Sequence, residues 1–143
     1  MYNKVVYISG PYRADTIEQI EANITAAENE AIFWWRRGFA VLCPHKNTRD
    51  FEKVFGEDDV ILPGDEELVS RCDIIVLLST WTFSVGATRE FRVAQGESLI
   101  ILFKMSQKYY MLKDNAVLTL SPDIEVLPKN GKLIRQDDGK EVW

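Results

Sequence analysis

The sequence has one histidine and two cysteines in 143 residues. His45 cannot complete a zinc set alone, and Cys43 and Cys72 lack metal-ligand spacing. Both cysteines sit inside apolar stretches and read as small buried hydrophobes in a reducing cytoplasm. Long apolar runs are missing too. Nothing approaches the ~18 residues that span a bilayer, and the first residues lack a secretory core, so a cytoplasmic protein without membrane contact is expected. Basic residues number 17 against 22 acidic ones, for a net charge of −5. They do not cluster, which leaves no electrostatic footprint for a nucleic-acid polymer. Neither G-x-x-x-x-G-K-[ST] nor G-x-G-x-x-G occurs, and no G-x-S-x-G follows a strand. Nucleoside-triphosphatase, dinucleotide-dehydrogenase and Ser-His-Asp hydrolase readings thereby lose their physical basis.

What is present is one domain's worth of chain, with 46% hydrophobic and 27% charged residues, a balance that excludes disorder. Residues 4–9 (KVVYIS) form an apolar first strand that stops at Gly10-Pro11. Ile17, Ile20, Ile24, Ala27, Ala31 and Trp34 recur at helical spacing, with Thr16 and Gln19 as a capping box and Gly38 as the stop. Residues 39–43 read as a second strand ended by Pro44. A possible short helix follows near 49–55, then a solvated acidic loop at Glu57, Asp58 and Asp59. A short helix over 65–71 leads into a third strand over 72–78. A polar and aromatic loop precedes a helix over 85–95, and residues 98–103 make a fourth strand.

Apolar strands alternating with helices predict an α/β fold. The expected form is a doubly wound, flavodoxin- or Rossmann-like parallel sheet of about five strands, with helices on both faces. Residues 1–115 would form the binding and catalytic domain. Residues 116–143, with short segments at 117–120, 124–127 and 132–135 between turn signals, would add a β-meander or tail packed on it.

In such sheets ligands bind beyond the carboxyl ends of the strands. The loops selected by that rule hold Ser9, Gly10, Pro11, Tyr12 and Arg13; Pro44 to Thr48; and Thr80 to Gly86. Glu90 lies on the edge of its helix's inward stripe, a turn or two behind the last of these loops, and reaches the crevice floor. Ser84 and Gly86 mark a helix start able to hold an anion. The plainer reading is that Ser84 only caps the helix and Glu90 is a solvated charge. Asp65 by itself reads as an N-cap. Tyr7 faces away from Val6 and Ile8, and its hydroxyl needs a partner such as a crevice carboxylate. His45 is either a donor to phosphate or sugar or a structural histidine. Arg13 is either a phosphate partner or an ordinary surface arginine. Trp34 and Trp35 read as core or interface residues, whereas Trp81 and Phe83 are candidates to cover a nucleobase.

Three segments in order resemble one family over residues 4–103. They are Val6-Tyr7-Ile8-Ser9-Gly10-Pro11-Tyr12, Gly64-Asp65 with Cys72-Asp73-Ile74-Ile75-Val76, and Ser84-Val85-Gly86-Ala87-Thr88-Arg89-Glu90. The family is the nucleoside 2-deoxyribosyltransferases with their relatives, the nucleoside 5′-monophosphate N-glycosidases. The resemblance implies that Glu90 attacks C1′ of the sugar, that Tyr7 orients it, and that Asp65 assists as acid or sugar-hydroxyl partner. It also implies that Ser84 and the N–H groups of Val85 and Gly86 take a 5′-phosphate. Ser9, Gly10, Arg13, His45 and Trp81 complete the expected substrate contacts. No cofactor or metal is implied, and the assembly implied is a homodimer. The expected function is cleavage of the N-glycosidic bond of a nucleoside 5′-monophosphate or deoxynucleoside. Base exchange by a deoxyribosyltransferase and a non-catalytic nucleotide-binding module are the alternatives.

Overall fold

In a computed structural model of the chain, residues 2–55, 60–112 and 124–143 are described. The acidic loop of Glu57, Asp58 and Asp59 and the expected strand at 117–120 lie outside the described residues. The chain runs β1 (Val5–Ser9), α1 (Ile17–Trp35), β2 (Ala40–Leu42), α2 (Pro44–Asn47) and α3 (Leu62–Ser70), with a 3₁₀ turn at Phe51–Lys53 between the last two. It continues through β3 (Ile74–Leu77), a 3₁₀ turn at Trp81–Phe83, α4 (Val85–Gly96), β4 (Ile100–Met105), β5 (Lys108–Met111), β6 (Ile124–Lys129) and β7 (Lys132–Arg135). No helix among the described residues is long and apolar enough to cross a membrane.

The described strands join one sheet in the order β2-β1-β3-β4-β5-β6-β7. Only the first four are parallel; β5, β6 and β7 each pair antiparallel with the strand before them. The expectation of a parallel sheet of about five strands is therefore corrected to a seven-stranded mixed sheet. Its last part, β5 to β7, is an antiparallel run of consecutive strands that extends the same sheet. The strand missed is β5. Its two-residue turn, Ser106-Gln107, has both φ angles positive (50° and 65°) yet carries no glycine or asparagine to announce a hairpin. The β6–β7 turn uses Asn130-Gly131 at φ 53° and 77°, the pairing such a turn favours.

Alternation along β1 sets the two layers. Val6 and Ile8 pack with Ala27, Ala31 and Trp34 of α1 on one face. Tyr7 packs on the other face, with Val69 of α3 and Phe91 and Ala94 of α4. Thr16 caps α1 as expected, its Oγ1 accepting from the Gln19 N–H at 3.1 Å. Ile17 is the exception to the apolar stripe and is exposed. Trp34 is fully buried, Trp35 half-exposed, Cys72 buried and Cys43 only partly so. Winding reverses between β1 and β3, which places a crevice at their carboxyl ends. There Gly10 lets the chain pass Leu78. A Cβ at that position would stand 2.9 Å from Leu78 Cδ1 and 3.1 Å from its Cβ.

The α1 face holds a buried carboxylate. Glu30 accepts from Trp34 Nε1 at 2.9 Å, from Lys104 Nζ at 2.6 Å and from the Tyr109 hydroxyl, tying α1 to β4 and β5. Burial and the Glu30 charge push the Tyr109 hydroxyl's pKa up, so it stays a donor. Glu30→Ala strands three donors and should cost about 2–4 kcal/mol in urea unfolding. Glu30→Gln, which keeps an acceptor, should cost less. Equal losses would mean that the cluster's hydrogen bonds contribute nothing.

Candidate functional site

Glu90 reaches the crevice because of how α4 begins. Ser84 stands at the N-cap with extended backbone, and its Oγ accepts from the Ala87 N–H at 3.1 Å. From that start Ala87, Glu90, Phe91 and Ala94 fall on one buried face. Glu90 is thus no solvated helix charge, being only 5% exposed. Its carboxyl meets two hydroxyls of β1. Ser9 Oγ donates to Oε1 at 2.7 Å, and the Tyr7 hydroxyl donates to Oε2. Residues two apart on a strand share a face, which is why both arrive together.

In front of this carboxyl lies a cavity of about 380 Å³, within the ~300–1,000 Å³ of small-molecule sites. The loop after β1 contributes Gly10 and Arg13, α2 contributes His45, α3 contributes Asp65, and the start of α4 contributes Ser84 and Gly86. Seven predicted residues, counting Glu90, therefore line one space. Tyr7 and Ser9 stand behind Glu90 and do not line it. Ser9, expected as a substrate contact, is fully buried and donates to Glu90. Trp81, also expected against substrate, is not among the residues lining the cavity. Its ring packs on Phe91 and Phe103 at centroid distances of 4.9 and 5.8 Å, and Phe83 takes the place at the cavity rim, 88% exposed.

Asp65 is not an N-cap. Pro63 sits in the first turn and carries the helix start back to Leu62, so Asp65 lies inside α3 and is buried against the cavity. His45 is buried, with Nε2 bonded to the Pro11 carbonyl at 2.9 Å and Nδ1 unpartnered among the described residues. Burial lowers its pKa, so the ring is neutral at pH 7. The sequence reading missed Glu52, Ile61 and Leu62 as cavity residues, while Thr48, in a crevice loop it selected, does line the cavity. Tyr12 then holds Glu52, its hydroxyl donating to Oε1 at 3.2 Å. Gly86 lets α4 close on α3, since a Cβ there would lie 3.2 Å from Leu62 Cδ2.

Removal from water dominates the electrostatics. Burial pushes the Glu90 pKa up to about 8; the bonds from Tyr7 and Ser9 oppose it, and the charges of Asp65 and Glu66 add to it. The Tyr7 hydroxyl is also raised, by burial and then by Glu90 and Asp65, and stays protonated. Among the described residues no three His, Cys, Asp or Glu side chains converge as a metal set.

Fold and site together define an α/β protein with a ligand-sized cavity floored by a buried, hydroxyl-bound carboxyl. Residues 4–103 match the family described as a domain of unknown function, DUF4406, and the chain belongs to that family. The match covers β1 to β3, most of β4 and every cavity element. A search of curated proteins finds no match.

The raised Glu90 pKa has a consequence for stability. Between pH ~4.3, where an ordinary glutamate titrates, and pH about 8, the folded protein holds a proton that the unfolded chain has lost. This contribution is full below pH ~4.3 and falls by ~1.4 kcal/mol per pH unit as the pH rises through that window. Glu90→Gln cannot ionise. Its stability relative to wild type should rise by several kcal/mol between pH 5 and 8 in urea unfolding. A constant difference across that range would contradict the buried, proton-holding carboxyl.

Proposed function

We propose that the protein cleaves the N-glycosidic bond of a nucleoside 5′-monophosphate or deoxynucleoside, with Glu90 as nucleophile. The observation that carries this reading is the Glu90 carboxyl, buried at the cavity floor with each oxygen bound by a hydroxyl. Such a group is fixed in direction and poor in solvation, as a carboxylate meeting oxocarbenium character at C1′ needs to be. A C1′–O bond forms to Glu90 while the C1′–N bond breaks, and its electron pair leaves with the base. Asp65, buried in the same cavity, in its protonated form hands a proton to the base, or in its ionised form holds a sugar hydroxyl. Water then attacks C1′, gives its proton to the ionised Asp65 or to the departed base, and frees Glu90.

The start of α4 suits a phosphate. Ser84 Oγ accepts the capping bond, so its own proton remains to be donated, and the first backbone N–H groups of the helix add to it. Arg13 lines the same space. Phe83 at the rim offers an aromatic face to the base. The parallel strands with helices on both faces fit a doubly wound, Rossmann-like ancestry for this part of the sheet. A homodimer in the cytoplasm is the assembly proposed, and half-exposed Trp35 with Tyr2 beside it is the apolar pair it would cover.

A base-release assay over a panel of nucleosides and their 5′-monophosphates tests the reading. Free base should appear, and Glu90→Ala should lower the rate by about 10³-fold or more while binding changes little. Because attack needs the ionised carboxyl, kcat/KM should climb with pH toward a plateau above about 8. Release of no base from any member, with no exchange onto an added base, would overturn the proposal. A new nucleoside formed with that added base would instead establish transfer.

A further inference from the structure

We propose that Ser9 is a positioning residue for Glu90: its hydroxyl, 2.7 Å away, holds the carboxylate oxygen that Tyr7 leaves and favours the ionised, attacking form. The inference rests on Glu90 being the nucleophile. Ser9 is fully buried at the end of β1 and does not line the cavity, so it acts on a ligand only through Glu90. The two hydroxyls divide the work. Each donates to a different oxygen, so the carboxyl plane is pinned at two points and cannot spin about its terminal bond.

Both hydroxyls donate at full strength only to an ionised carboxylate. In a neutral carboxyl group one oxygen carries its own proton and is a weaker acceptor, so the donor facing it loses much of its bond strength. Ser9 and Tyr7 together therefore act against the cost of burial. The other groups around Glu90 do not help. Asp65 and Glu66 of α3 disfavour its charge, and Arg89 on α4 is engaged with Glu66 at 2.5 Å. In the cavity walls, His45 of α2 is neutral and Glu52 is acidic. Among the described residues, Arg13 on the loop after β1 is the cation lining the cavity. Cys72 adjoins Tyr7, its thiol pushed up to about 11 by burial, and so carries no charge at neutral pH. Among the described residues, the two hydroxyls of β1 are the hydrogen-bond donors to the Glu90 carboxyl.

The test is a carbon-13 NMR titration of glutamate-labelled protein, with Glu90→Gln to assign the signal, run beside base release as a function of pH. Ser9→Ala should move the Glu90 titration and the rising limb of kcat/KM up by roughly one unit. The rate at pH 7 would then fall about tenfold, with most of it recovered on the alkaline plateau. Ser9→Thr, which restores the hydroxyl, should titrate near wild type. A merely structural role would lower stability without moving the titration. A Glu90 titration that Ser9→Ala leaves in place would overturn the proposal. A titration that moves in a protein releasing no base would uphold the Ser9 bond and overturn the nucleophile reading instead.

Discussion

Glu90 belongs to a helix whose inward face is otherwise alanine and phenylalanine, and in that setting its carboxyl has lost its water. Burial alone would keep it neutral far above the usual carboxylate range. Two hydroxyls from β1 draw it back toward ionisation, and the balance leaves it near pH 8. Much of the local architecture serves that balance. The alternation of β1 delivers residues 7 and 9 to one face, the Ser84 cap fixes where α4 starts, and Gly86 with Gly10 lets α4 and the loop after β1 close around the cavity.

The fold carries a second buried carboxylate, and the contrast between the two separates structure from chemistry. Glu30, on the opposite face of the sheet, has a lysine at 2.6 Å, an indole N–H and a phenol. Its charge is matched, and its bonds join α1 to the antiparallel extension. Glu90 has hydroxyls in place of a cation and opens onto a cavity. A buried carboxyl supplied with neutral donors and ligand-sized space is costly to stability and useful to a reaction. The site's energetic disadvantage is thus compatible with the well-paired cluster on the other face and with two continuous apolar layers.

Much of this was legible in the residues. The β1 strand, the Thr16 cap of α1 and the inward stripe of α4 follow from local periodicity and capping, which act over a few residues. The convergence of Glu90, His45, Arg13 and the α4 start followed from the rule for parallel sheets, which places loops before any contact is known, whereas Asp65 was expected there only through the family resemblance. The rest needed tertiary knowledge. Trp81 read as available to a base, and its half-buried ring packs on Phe91 and Phe103. Ser9 read as a substrate contact, and nothing local says that its hydroxyl meets Glu90. The start of α3 was placed one turn late, at Asp65, because Pro63 reads equally as a loop residue and as the first turn of a helix. The Ser106-Gln107 turn lacks the small residues that its positive φ angles favour, so the antiparallel half of the sheet was underestimated.

The role of Glu90 is most directly tested by acid quenching during turnover of a nucleoside 5′-monophosphate, followed by peptide mass mapping. A sugar ester on the peptide containing Glu90, absent in Glu90→Gln, is the result expected of a carboxylate that attacks C1′. Base release that proceeds with Glu90 unmodified, or with the sugar attached to Asp65, would contradict it.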